Sequence, residues 1–261
     1  PDYVRAGEKH LKSSMRKSDG SEVNFYREVD EEILDTAKGD ILAVLDEARK
    51  DGIISDEEHR HMDPTEKAAA RLYMLFKVHK AHQEGTAPPE RPVISGSGSI
   101  TENPSRFCQH YMKQVSKDHD SFIRDTCDFL RHIENMEGLL PENAVLVTID
   151  VTGLYTHIPR DEGIKATREA LDRRKGKSVP TEFIIKLLEL LTKCNIFKFN
   201  GKYFQQLEGT AMGQTHTPNY ADIFMATMDK LILKAAVLHG EGVFPIRLMK
   251  RFLDDLFFVF T

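Results

Sequence analysis

An α+β fold is what this chain of 261 residues predicts, and three observations lead there. Apolar residues recur at helical spacing in residues 30–51, 104–137, 160–177, 181–195 and 219–240. Strand alternation with turn residues marks two hairpins, at 71–98 and at 196–206, the second turning on Asn200-Gly201. Composition is ordinary for a globular protein, 40% hydrophobic and 30% charged, which allows a sizeable core. The net charge of -5 gives no support to a nucleic-acid or anionic-membrane partner, so any basic surface must be local. Cys108, Cys127 and Cys194 are far apart and read as reduced, mostly buried thiols. No stretch approaches the roughly 20 apolar residues of a membrane span, and the start has no signal-peptide apolar region. An intracellular protein without a membrane partner is expected.

Each element has its own signal. Residues 30–51 place Ile33, Leu34, Ile41, Leu42, Val44 and Leu45 near helical spacing opposite a charged face, and Gly52 stops the pattern. Ser55 is the expected N-cap of a short helix ending before Pro64. RLYMLFKVHK alternates as a half-buried strand does, HQEGTAPPE is a loop by composition, and RPVISGSGSI resumes as a strand. That hairpin gathers Lys77, Lys80 and Arg91 into a local positive cluster, although lysines guarding a strand edge would look the same. Residues 104–137 read as helices with an apolar stripe of Phe122, Ile123, Cys127, Phe129, Leu130 and Ile133. NAVLVTIDV is a short buried strand by its β-branched content, and TGLYTHIP is a turn. An amphipathic helix follows, then TEFIIKLLELLTKCN, a helix capped by Thr181. After EGTAMGQTHTP a long helix runs to Gly240 with Met225 and Met228 on its core face. His59, His61, His79 and His82 have irregular spacing and no cysteine partner, and read as solvated loop residues rather than zinc ligands.

The chain ends in RFLDDLFFVFT, where Asp254 and Asp255 interrupt what reads as a buried strand. Burying an unpaired carboxylate costs several kcal/mol, and adjacent like charges destabilise each other further, so something must compensate them. Asp150 closes another strand about a hundred residues earlier. An Asp at a strand end is commonly a turn or cap residue. Carboxylates on adjacent strands can also converge on one pair of metal ions.

Taken in order, RLYMLFKVHK, RPVISG, VTIDVTGLYTHIP, GTAMGQTHTPNYA and RFLDDLFF resemble the fingers and palm motifs of reverse transcriptases, in particular those of Penelope-like retroelements, which are related to telomerase. FNGKYFQQLEGTAMG and GLYTHIP are the family-specific parts, and the resemblance runs from about Asn24 to Thr261. It implies a right-hand polymerase with a helical N-terminal extension of the fingers (1–70), fingers (71–140) and an antiparallel palm sheet backed by helices (141–261). The implied activity is RNA-directed DNA synthesis by two-metal nucleotidyl transfer. Its partners are an RNA template, a DNA primer and deoxynucleoside triphosphates; its cofactor is a pair of Mg²⁺ ions, with Mn²⁺ as a substitute. By the same resemblance Asp150, Asp254 and Asp255 take the catalytic positions, and Asp150, Asp254 and the Val151 carbonyl the metal. Lys77 and Arg91 match the positions that contact the triphosphate, and Tyr155 the steric gate against a ribose 2′-OH. Gly209, Met212, Gly213 and Pro218 resemble the turn against the nascent base pair. An intracellular, nuclear location is expected.

The pattern departs from the family at His216, Thr217 and Asp222, where QTHTPNYAD stands in place of a form nearer xxMAPxxAN. Beginning at Pro1 and stopping inside a strand, the chain is expected to be part of a longer parent with a thumb and a GIY-YIG endonuclease domain, and to show little processive synthesis alone. A competing expectation is a degenerate or domesticated copy retained as a nucleic-acid or protein-binding module. A third is RNA synthesis, against which the bulky Tyr155 speaks.

Overall fold

A computed structural model describes residues 2–16, 20–79, 88–136, 138, 140–238 and 246–261. Lys80, His82, most of the HQEGTAPPE loop and Gly240 lie outside these. The first stretch is less purely helical than its rhythm: after α1 (Asp2–Leu11) come β1 (Ser14–Arg16), β2 (Glu22–Asn24) and β3 (Tyr26–Val29), then α2 (Glu32–Lys50) and α3 (Asp56–Met62). The basic hairpin is β4 (Ala70–Phe76) and β5 (Glu90–Ser95), followed by α4 (Glu102–Met112), α5 (Thr126–Glu134), β6 (Val145–Asp150), α6 (Leu154–His157), α7 (Arg160–Asp172) and α8 (Thr181–Lys193). The second hairpin is β7 (Ile196–Phe199) and β8 (Lys202–Gln206); α9 (Thr217–Leu238), β9 (Ile246–Phe252) and β10 (Asp255–Phe260) complete the order.

Local chemistry accounts for most of these boundaries. Leu34, Ala37, Ile41, Val44, Leu45 and Ala48 form the buried stripe of α2. Ser55 caps α3 through a capping box: its hydroxyl accepts from the Glu58 N–H at 3.2 Å, and the Glu58 carboxylate accepts the Ser55 N–H at 2.8 Å. Along β4, Ala70, Leu72 and Met74 are buried and alternate with exposed Arg71, Tyr73 and Leu75. Asn200 and Gly201 both have positive φ, 47° and 81°, as a two-residue hairpin turn that follows strand twist requires.

Two sheets carry the architecture. Five strands run in the order β3-β8-β7-β4-β5, antiparallel except for a short parallel contact of β4 with β7 at Ala70↔Phe197 and Arg71↔Lys198. Three run in the order β6-β10-β9, antiparallel throughout. The larger core joins α2, α4, α7, α8 and α9 to Met249, Leu256 and Phe258 of the three-stranded sheet. A smaller one packs Ala6 of α1 against Leu72, Met74 and Phe197 of the five-stranded sheet. Met225 is in the larger core and Met228 packs against it. No helix among the described residues is long and apolar enough to cross a membrane.

Several expectations are corrected. The terminal stretch is two strands rather than one, with Asp254 in the turn between them. β6 is an edge strand and largely exposed, Leu146 to 62% and Ile149 to 50%, with only Val147 half-buried against the larger core. The apolar stripe of 122–133 is split: Phe122 and Ile123 run alongside Arg251 before α5 begins, and no residue of α5 itself is buried. Phe129 meets Phe257 edge-on, ring centroids 5.0 Å apart. TGLYTHIP contains a helical turn, α6. Pro180, not Thr181, is the N-cap of α8, because the extended backbone at Pro180 (ψ 141°) already turns the chain into the helix. His59 is no solvated loop residue; α3 rolls it onto α2, buried, with a ring nitrogen 2.7 Å from the Asp46 carboxylate. Cys108 and Cys194 are buried, whereas Cys127 is exposed.

α9 is held in place by two contacts with testable consequences. A Cβ on Gly163 of α7 would collide with the Tyr220 phenol of α9, whose hydroxyl donates to the Arg160 carbonyl at 3.1 Å. Helix propensity alone would make Gly163→Ala stabilising by about 1 kcal/mol; overpacking should reverse the sign and cost about 1–3 kcal/mol by urea denaturation. At the start of α9, the Ser105 hydroxyl accepts the His216 backbone N–H at 3.1 Å and so turns its own proton to His216 Nδ1 at 2.7 Å. Nε2 is left buried without a partner. Burial lowers the imidazole pKa from 6.5 to about 4, so between these values the unfolded chain takes a proton that the folded one refuses. The stability this group confers is complete above about pH 6.5 and is lost as pH falls toward 4. Between pH 7 and pH 5 the wild type should lose about 2 kcal/mol more stability than His216→Asn; equal losses would contradict the assignment.

Candidate active site

The three-stranded sheet brings the separated carboxylates together at one end. Asp255 is the cross-strand partner of Asp150 on β6 and of Phe252 on β9. One residue on, the Val151 N–H donates to the Asp254 carbonyl at 3.0 Å. Directly opposed residues of an antiparallel pair project from the same face, about 5 Å apart at Cβ. Burial does not arise as the sequence implied: Asp254 is half-buried, and Asp150 and Asp255 are exposed. The turn places the pair at a strand end, where water reaches it. Among the described residues none of the three carboxylates has a hydrogen bond or ion pair.

Tyr155 feels the charge of one of them, Asp254. Gly153, left-handed at φ 64°, swings the chain off β6 straight into α6, which carries Tyr155. Burial and then the charge of Asp254 push its phenol pKa up, while Arg91 pulls it down. One phenol therefore lies within electrostatic reach of both the carboxylate turn and the basic hairpin. Arg91 is exposed on β5 opposite Leu75. The Lys77 N–H extends that ladder to the Pro89 carbonyl at 2.7 Å, so period two puts Lys77 on the same outward face as Arg91. Lys77 lies nearer the hairpin tip, and no contact ties it to the carboxylates.

The GTAMG segment joins these parts. The Thr210 N–H donates to the Tyr155 carbonyl at 2.8 Å, and a Cβ on Gly209 would strike that same carbonyl. The Ile94 N–H donates to the Met212 carbonyl at 2.7 Å and the Gly96 N–H to the Gly213 carbonyl at 3.4 Å, continuing the edge of β5. Gly213 sits at φ 114°, where a Cβ would fall 2.5 Å from the Ile94 carbonyl oxygen. The chain's own backbone is thus sufficient reason for both glycines; Met212 is half-buried, and Gly213 and Pro218 are exposed.

The donor set suits a hard cation. Unpaired carboxylates and a backbone carbonyl are oxygen ligands of the kind Mg²⁺ and Mn²⁺ take, and Mg²⁺ is commonly held by one or two carboxylates plus substrate phosphates and water. Among the described residues no three His, Cys, Asp or Glu side chains are grouped so as to hold an ion by themselves.

Behind the turn lies a network the motif reading missed. The Arg251 guanidinium, fully buried, donates from Nη1 to Asp222 Oδ1 and from Nε to Asp229 Oδ2, both at 2.8 Å. Nη1 also donates to the Leu253 carbonyl at 3.0 Å. The Arg251 backbone N–H donates to the Ser121 carbonyl at 2.7 Å, and the Ser121 hydroxyl donates to Asp229. The departure at Asp222 is therefore a counter-ion. A signal was present: Asp222 and Asp229 are seven residues apart, two turns on one face of an otherwise apolar helix, and Arg251 immediately precedes FLDD.

Neither a protein-family model nor a curated protein matches the chain. Solved structures do. Telomerase from Candida tropicalis, apo and truncated from its C-terminal domain, is similar with a TM-score of 0.51 and 14% identity over 75% of this chain and 44% of that one. Telomerase from Candida albicans, in complex with a TWJ fragment of telomeric RNA, gives 0.54 and 9% over 74% and 38%. The RNA-dependent RNA polymerase of a human picobirnavirus gives 0.51 and 14% over 74% and 35%. The chain spans less than half the length of each of these. At these identities the likeness is one of fold, and the fold is that of a right-hand nucleic-acid polymerase, an antiparallel palm sheet backed by helices.

Proposed function

We propose that this chain is the fingers and palm portion of an RNA-directed DNA polymerase of the Penelope-like type, working in the nucleus on an RNA template, a DNA primer and deoxynucleoside triphosphates. One observation carries the reading: the pairing of β6 with β10 sets Asp150 opposite Asp255 and ties Val151 to Asp254, with Tyr155 under the charge of both Asp254 and Arg91. In this reading Asp150, Asp254 and the Val151 carbonyl would hold two Mg²⁺ ions, or Mn²⁺, which when bound activate the attacking and leaving oxygens of an in-line displacement. Arg91 and Lys77 receive the triphosphate, Arg91 in the bidentate manner a guanidinium permits. Tyr155 is immobilised through its carbonyl by Thr210 and offers a fixed wall against a 2′-OH. Chemistry of this class needs no protein nucleophile; the side chains orient the reactants and balance charge.

Calorimetry of deoxynucleoside triphosphate binding tests this. The wild type is expected to bind only with Mg²⁺ or Mn²⁺ present, and Asp150→Asn with Asp254→Asn to weaken binding at least about tenfold, 1.4 kcal/mol. Binding that ignores both the metal and the substitutions would instead mark a polymerase fold kept as a binding module. Where nucleotide incorporation is measured, Tyr155→Ala should admit ribonucleotides; unchanged discrimination would remove Tyr155 from the gate.

A further inference from the structure

We propose that Arg251 is a positioning residue of the candidate site: clamped between Asp222 and Asp229, its guanidinium holds the Leu253 carbonyl and so fixes the turn that presents Asp254. The catalytic consequence rests on the polymerase reading; the geometry does not.

Leu253 sets the problem. It adopts φ 53°, and it and Asn200 are the only non-glycine residues with positive φ among those described. The left-handed region is unfavourable for an ordinary L-residue, and Leu has no side-chain acceptor or donor with which to relieve it locally. Asn200 does, and is followed by Gly201, so its turn is self-supporting. At Leu253 the compensation comes from outside the turn: the Arg251 Nη1 that bonds its carbonyl is the same nitrogen that bonds Asp222.

Arginine is suited to this in a way lysine is not. Its rigid fork presents separate donors in one plane. Nε serves Asp229, Nη1 serves Asp222 and Leu253, and Nη2 donates to the Asp222 carbonyl at 3.3 Å. His119 closes the arrangement. With its Nε2 accepting from Arg251 Nη2 at 3.4 Å, its Nδ1 donates to the Ser121 hydroxyl at 2.8 Å, which passes its own proton to Asp229. His119 also stands 3.6 Å from Asp222 and 3.8 Å from Asp229. The turn is thereby referenced to α9 and to the segment around Ser121, rather than to its own two strands alone. The Val151 N–H reports the result, because it bonds the Asp254 carbonyl one residue beyond Leu253.

The test is residue-resolved amide hydrogen exchange on Arg251→Lys, with Mn²⁺-dependent deoxynucleoside triphosphate binding measured alongside. Arg251→Lys keeps the charge but cannot serve both carboxylates and the carbonyl. Exchange at Val151 is expected to quicken at least about tenfold while the amides of α8 and of the β7–β8 hairpin keep their wild-type rates. Nucleotide binding should weaken by a similar factor. Unchanged exchange at Val151 in the folded variant, or a uniform quickening throughout, would overturn the proposal, since a merely structural role moves every amide together. Should Arg251→Lys fail to fold, Asp222→Asn decides by the same measurement, with a smaller but still localised effect expected at Val151. If the wild type binds no metal-nucleotide, the polymerase reading fails while the exchange data still decide the role of Arg251.

Discussion

The buried pairing of Arg251 with Asp222 and Asp229 is the constraint on which the site depends. Removing one member of such a cluster leaves an uncompensated charge in the core, typically costing 3–5 kcal/mol, although an apolar replacement of the whole cluster can be neutral. Net stability is therefore a weak reason for the cluster to exist. Its geometry is a better one: charged groups that must each find a partner tolerate far fewer arrangements than apolar side chains do. Here the permitted arrangement registers β9, α9 and the segment around Ser121 in one step.

A second constraint acts at the opposite side of the site. GTAMG has its backbone committed twice, to Tyr155 through Thr210 and to β5 through Met212 and Gly213. Glycine is demanded where a carbonyl of another segment occupies the place of a Cβ, at Gly209 and Gly213. The basic hairpin and the carboxylate sheet, which share no strand, are brought into relation by this connector. The field at Tyr155 registers it, drawing on Asp254 from one element and Arg91 from another.

The carboxylates pose a different problem from the one their sequence context raises. Leu256, Phe258 and Val259 are buried along β10, but Asp254 and Asp255 come at the turn and first residue of the strand, where water reaches them. Positive charge on this acidic chain is local, with Arg91 and Lys77 on the outward face of the β4–β5 hairpin.

The sequence by itself determined the order and kind of most elements. The stripe of α2, the capping box at Ser55, the Asn200-Gly201 turn and the alternation along β4 are properties of neighbours in the chain, and those neighbours set the local backbone. Its strand signals also put Asp150 and Asp254-Asp255 in strand-borne stretches, which the pairing of β6 with β10 then sets side by side. Only the tertiary structure decided burial and partners. β6 has the composition of a buried strand but lies at a sheet edge, and α5 has a stripe with little to cover it, because burial depends on what packs opposite. His59 lost its apparent freedom to Asp46 for the same reason. Asp222 and Asp229 share a helix face that the sequence shows, but Arg251 lies up to 29 residues away, so which cation pairs with them was decided only when α9 was laid against β9.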